Sequence, residues 1–128
     1  MTRFAVDEVR GQGRPRVGRG GRVYKPEADR RYEAMLARAY AEAGGGLVDG
    51  PVQVHVDVWR ALPKSRPKGT RSEPDTFRPD LDNVAKSVLD ALTGVAWADD
   101  RQVVELWVVK HERKAREGDL MVVDVRPA

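Results

Sequence analysis

Apolar residues recur with a definite period in some stretches of the chain and with none in others. Tyr32, Met35, Leu36, Ala39, Tyr40 and Ala43 follow the i, i+3, i+4, i+7 spacing of one helical face. Pro26 is suited to the first helical position, Glu27 and Asp29 favour the positive end of the helix, and the glycines from Gly44 to Gly46 end it. Leu81, Val84, Ala85, Val88, Leu89 and Leu92 form a second helical stripe, stopped by Gly94. Val52, Val54, Val56 and Val58 alternate with Gln53, His55, Asp57 and Trp59, the period of a strand with one buried face. Gln102 to Lys110 is apolar on both faces, which predicts a central strand. Phe4 to Val9 and Leu120 to Val125 predict a first and a last strand.

The stretches between are of a different kind. Gly11 to Arg22 is too rich in Gly and Arg for a regular element and reads as a basic loop. Its glycines make no dinucleotide fingerprint, because Pro15 falls where the helix should begin and the third Gly is missing; there is no GxxxxGK either. Pro63 to Pro79 lacks any period and is about as long as a structureless loop in a compact domain becomes. His111 to Arg116 reads as the connection of a hairpin between the last two strands. The expected architecture is a single α+β domain over residues 1–128, a mixed or antiparallel sheet covered on one face by two amphipathic helices, with basic loops near residues 10–25 and 63–79.

Composition narrows the chemistry. At 128 residues, one core large enough to fold without staples is expected, and the absence of Cys removes disulfides, Cys-based metal sites and cysteine nucleophiles. The first ten residues carry charges and no apolar run, so neither a secretory signal nor a membrane span is expected there, and the cytoplasm is the default location. The net charge of +3 conceals a segregation: residues 1–25 carry +5, residues 60–78 carry +4 and residues 79–100 carry −4. Basic stretches on either side of an acidic one suit a polyanion held together with a divalent cation.

The acidic segment runs from Arg78 to Asp100. Pro79 keeps Arg78 extended, so the helix begins at Asp80, a natural N-cap. Asp80 in extended backbone and Asp82 in the opening turn can converge on one cation, although two residues apart inside a helix they would diverge. Magnesium takes hard oxygen ligands, typically one or two carboxylates plus water and phosphate, and Asp99 or Asp100 could add a third. Lys86, one turn after Asp82, adds a movable cation. The plainer alternative makes Asp80 only a cap, Asp82 and Lys86 an ordinary helix pair, and Asp99 and Asp100 turn residues. Taken together these residue types point to a magnesium-dependent phosphodiester-cleaving site. His55 has no second ligand at a useful spacing and reads as surface, and Trp59, Trp97 and Trp107 read as core or interface residues.

The stretch PDLDNVAKSVLDALTGVAWADDRQVVEL, Pro79 to Leu106, resembles the RusA family of Holliday junction resolvases, also called crossover junction endodeoxyribonucleases. The DLDN motif, the Lys four residues after its second Asp, LDAL, and the Asp pair before a β-rich run carry the resemblance. The GQGRPR and VYKPEADRRYEAMLARA segments match the family more loosely. The resemblance implies a homodimeric nuclease that binds four-way junction DNA and makes paired nicks with Mg2+ or Mn2+, in DNA recombination and repair. Carried over by position, the metal-binding aspartates fall on Asp80, Asp82 and Asp100, with Asp99 ranked below Asp100, and the essential lysine falls on Lys86. Asn83 completes the motif as a phosphate or supporting contact. Arg14, Arg16, Arg19, Arg22, Lys64, Arg66, Lys68 and Arg71 are the expected contacts to the DNA backbone. The loop from Lys64 to Arg78 and the charged connection after Lys110 depart from the family pattern.

Competing readings are a PD…ExK nuclease using Pro79, Asp80, Glu112 and Lys114, and a catalytically silent junction-binding protein whose aspartates serve only as caps. An RNA-directed nuclease lacks an aromatic platform, because Phe4, Phe77 and the three Trp are scattered.

Overall fold

The computed structural model describes residues 1–12 and 16–128, and of Arg16 the backbone only. In chain order the elements are β1 (Thr2–Val6), β2 (Arg16–Val17), β3 (Val23–Tyr24), α1 (Glu27–Glu42), β4 (Val52–Trp59), β5 (Ser72–Glu73), α2 (Leu81–Leu92), β6 (Val103–Lys110), β7 (Arg113–Lys114) and β8 (Leu120–Pro127). Short 3₁₀ turns cover Arg19–Gly21 and Asp100–Gln102. No helix among the described residues is long and apolar enough to cross a membrane.

The principal sheet has the order β1-β8-β4-β6. β8 runs antiparallel to both β1 and β4, whereas β4 and β6 are parallel. Parallel neighbours need a crossover, and α2 supplies it. Both helices pack on one face of the sheet, as the two apolar stripes require: Tyr32, Leu36 and Tyr40 from α1 meet Val84, Val88 and Leu92 from α2. The four valines of β4 are buried beneath them, each contributing about 2 kcal/mol by removal from water. The Tyr40 ring stands edge-on to Phe4 at 6.2 Å. Trp97 is fully buried, with its indole N–H donated to Thr93 Oγ1 at 3.1 Å.

Several expectations require correction. β6 is not central: it lies at the sheet edge, where Val104, Leu106, Trp107 and Val109 are 63%, 40%, 58% and 40% exposed. Its apolar residues on both faces reflect exposure at an edge rather than burial between layers. β6 and β8 do not form a hairpin either, because β4 lies between them. Residues 111–119 instead cross the end of β4 and contain β7, which pairs with β5 inside the basic segment, so Pro63 to Pro79 is not structureless. The first basic loop likewise holds the β2–β3 ribbon. Pro26 occupies the N-cap of α1 rather than its first turn, and Leu81 is exposed although it belongs to the second apolar stripe.

Candidate active site

The first turn of α2 lies beside the carboxyl end of β6, where Asp80 and Leu81 line a cleft with Asp75, Phe77, Val108, Val109 and Lys110. Crevices at the carboxyl ends of parallel strands are the usual location of sites in such sheets. On its other side Asp80 lines a second cleft with Arg10, Gly11, Gln12, Arg78 and Asn83. Gly11 packs so closely that a Cβ there would lie 2.7 Å from the Cβ of Pro79 and 3.0 Å from that of Asn83. The N-terminal segment is thereby brought against the DLDN motif.

Asp80 is the N-cap of α2 by backbone conformation, with φ −68° and ψ 158°, but its side chain makes no capping hydrogen bond. Asp82 is exposed in the first turn, and Lys86 is exposed one turn further on. Among the described residues the side chains of Asp80, Asp82 and Lys86 have no hydrogen-bond or ion-pair partner. Asp90, on the same face, is held by Gln12 at 2.5 Å and Lys25 at 3.6 Å. Two exposed carboxylates, one before the helix and one in its first turn, supply the hard oxygen donors that magnesium takes.

Asp100 is elsewhere. It opens the 3₁₀ turn before β6, after the carboxyl end of α2, and the twelve residues of α2 span about 18 Å. No three acidic or His residues gather into a metal-binding group among the described residues, so a single chain does not bring Asp100 to Asp80 and Asp82. Asp99 is occupied: it accepts from the Arg101 backbone N–H at 2.9 Å and from the Arg101 guanidinium at 3.1 Å. These contacts, the backbone one first, hold its carboxyl below the usual carboxylate range.

The expected DNA contacts fare differently. Arg14 lies outside the described residues, as does the side chain of Arg16. Arg19, Arg22, Lys64, Lys68 and Arg71 are exposed. Arg66 is engaged, donating through Nε and Nη2 to Glu73 at 2.7 and 3.1 Å, with its guanidinium 5.5 Å from the centre of the Phe77 ring. Asn83 is half-buried behind Gly11. Glu112 is exposed, and Lys114 pairs with Ser72 in the β5–β7 ribbon. His55 faces Glu105 at 3.3 Å, and His111 contacts Asp57 at 2.7 Å while stacking on Trp59. Sequence reasoning missed Asp75 and Lys110, which share the cleft with Asp80, and Arg60, which donates to the Arg78 carbonyl. A charged residue at a strand end gives no periodic signal, and its partners are remote in sequence.

Comparison with known proteins identifies the family. Residues 8–122 match the family model described as Endodeoxyribonuclease RusA. The uncharacterized protein YqaN of Bacillus subtilis is 34% identical, covering 89% of each chain. The crossover junction endodeoxyribonuclease rusA of Enterobacteria phage 82 is 34% identical over 70% of this chain and 72% of its own. That of Escherichia coli K12 is also 34% identical, over 68% of this chain and 77% of its own. A match across most of the chain, including the segment that holds Asp80, Asp82 and Lys86, places this protein in the RusA endodeoxyribonuclease family.

Proposed function

We propose that this chain is a magnesium-dependent, structure-selective endodeoxyribonuclease that resolves four-way DNA junctions in recombination and repair, acting as a homodimer. The observation that carries this reading is the pair of carboxylates, Asp80 and Asp82, at the start of α2, which have no partner among the described residues. If these residues served only as a cap and an ion pair, Asp80 would bond the helix N–H groups and Asp82 would meet Lys86; neither contact is formed among the described residues. The relatives named crossover junction endodeoxyribonucleases support the substrate.

A divalent cation bound at such carboxylates lowers the pKa of water and offsets charge on a scissile phosphate. Asp80 and Asp82 would hold it, with Mn2+ able to replace Mg2+ among the same oxygen donors. Lys86 would neutralise a phosphate oxygen. Arg19, Arg22, Lys64, Lys68 and Arg71 would contact the DNA backbone, and these contacts weaken as salt rises.

The distance to Asp100 supports a second copy. A long, apolar, unpaired edge strand is an aggregation liability unless it is covered, and β6 is such a strand. Two β6 edges paired antiparallel across a two-fold axis would set the start of one strand beside the end of the other. Asp100 precedes that start, and Asp80 lies at that end. Each site would then take Asp80 and Asp82 from one copy and Asp100 from the other, and two sites would act on symmetry-related strands of a junction.

The test incubates wild type and Asp82→Asn with a labelled mobile four-way junction and with linear duplex, each with magnesium or EDTA, and reads denaturing gels. Symmetric nicks confined to the junction, and lost with EDTA or the substitution, are expected. Binding without nicks under every condition would leave a silent junction-binding protein. Glu112→Gln should cleave as wild type, whereas the PD…ExK reading requires it to be inactive.

A further inference from the structure

The segment leading into Asp80 is strapped to the ends of both parallel strands. Lys110, the last residue of β6, donates from Nζ to the carbonyl oxygens of Phe77 at 2.5 Å and Pro79 at 2.9 Å. Arg60, immediately after β4, donates from Nη1 to the carbonyl of Arg78, between them. Three successive carbonyls before the helix are thus held by two cations. Asp75 ties the cations together: its Oδ1 lies 3.7 Å from Lys110 Nζ and 3.7 Å from Arg60 Nη1, and accepts from the Phe77 N–H at 3.4 Å. The side chains of Asp75 and Lys110 are 0% and 9% exposed, so their charges are turned to these contacts rather than to open solvent.

We propose that Lys110 and Arg60 are positioning residues of this nuclease, and that with Asp75 they hold the 77–79 segment so that Asp80 and Asp82 are presented in one fixed geometry before metal or DNA arrives. The proposal rests on the nuclease reading given above. The physical need is specific. Asp80 does not cap its own helix, so it lacks the side-chain bond that usually fixes such a residue. The basic loop just before it, with Lys64, Lys68 and Arg71 exposed, is one of the parts of the chain expected to meet DNA. Without an anchor, motion there would reach the carboxylates directly. Hydrogen bonds from cationic donors are stronger than neutral ones, and they attach the segment to the ends of the sheet strands β4 and β6. Preorganisation of this kind raises the rate of the bound complex more than it raises affinity.

The test compares wild type, Lys110→Met, Lys110→Arg and Arg60→Gln by four readouts: junction affinity in EDTA, single-turnover cleavage of bound junction, calorimetric Mg2+ affinity without DNA, and amide hydrogen exchange. For Lys110→Met the expected result is junction affinity within about twofold of wild type and single-turnover cleavage slower by about tenfold or more. Weaker Mg2+ binding and faster exchange confined to the first turn of α2, with β4 unchanged, should accompany it. Lys110→Arg, which keeps the cation, should recover most of the rate. Unchanged rate, Mg2+ affinity and exchange in Lys110→Met would overturn the proposal. If that variant does not fold, Arg60→Gln decides, since of the three carbonyls it frees only that of Arg78, together with the Arg60 contacts to Asp75 and Asp119: the same split supports the strap, and wild-type values refute it. If wild type itself makes no junction product, the nuclease reading fails, while hydrogen exchange still reports whether the strap holds the helix start.

Discussion

Asp80 and Asp99 hold the same formal position, each the extended residue just before a helical turn, yet they do opposite things. Asp99 spends its carboxylate on Arg101, and Gln102 completes the box by accepting from the Asp99 N–H at 3.1 Å. Asp80 makes no capping bond, and its carboxylate has no partner among the described residues. Asp99→Ala should therefore lower the melting temperature, because Arg101 loses its acceptor, while junction cleavage stays of wild-type order. Asp80→Asn should do the reverse, abolishing cleavage with little change in melting; parallel thermal melts and gel assays separate the two. A third aspartate is structural: Asp124, buried on the sheet face away from the helices, lies 3.0 Å from both Arg3 and Arg126. Burial pushes its pKa up, but the bonds from Arg126 and Arg3 outweigh this and leave it below the ordinary aspartate value. A depressed carboxylate contributes stability that is present above its unfolded pKa and is lost as pH falls through the folded value. Asp124→Asn should accordingly melt below wild type at neutral pH, with the gap narrowing as pH falls through and below the ordinary aspartate range, as melting curves across that range would record.

Among the elements, β6 is the one whose surroundings its own sequence leaves undefined. A run of apolar residues on both strand faces suits a strand buried in the middle of a sheet, and equally suits an edge that another chain will cover. Trp107 stands near the middle of that edge, 58% exposed, with its ring 5.7 Å from His55. In a two-fold antiparallel pairing the central residues of the strand face their own copies, so a charge placed there meets a like charge. Trp107→Lys should yield a folded protein by circular dichroism that sediments as a monomer and no longer cleaves junctions. A dimer of undiminished affinity would show that copies associate elsewhere. The helices are simpler, because an amphipathic stripe has one physical outcome: Leu36 and Val88 had to be covered, and the sheet covers them.

At the scale of the whole molecule, α2 separates Asp100 from Asp80 and Asp82 by about its own length, so in the proposed dimer activity would depend on how chains combine. Mixing two inactive variants, Asp82→Asn and Asp100→Asn, should restore nicking, because one of the two sites in the mixed dimer draws Asp80 and Asp82 from one chain and Asp100 from the other, all intact. Sites built within single chains would stay broken in every combination, and a gel of mixed against separate variants distinguishes the cases. The sequence by itself determined the two helices, the alternating strand from Val52 to Trp59, the helix start at Leu81 and the aspartates around it, because each depends on residues within one or two turns of one another. Tertiary structure alone decided that β6 is an edge, that β4 separates it from β8, and that β5 and β7 meet inside the basic loop. It also decided that Asp99 caps its turn through its side chain while Asp80 does not, and that Lys110 and Arg60 converge on the 77–79 carbonyls. Strand order and side-chain partnership are choices between contacts remote in sequence, and local periodicity carries no information about which remote partner wins.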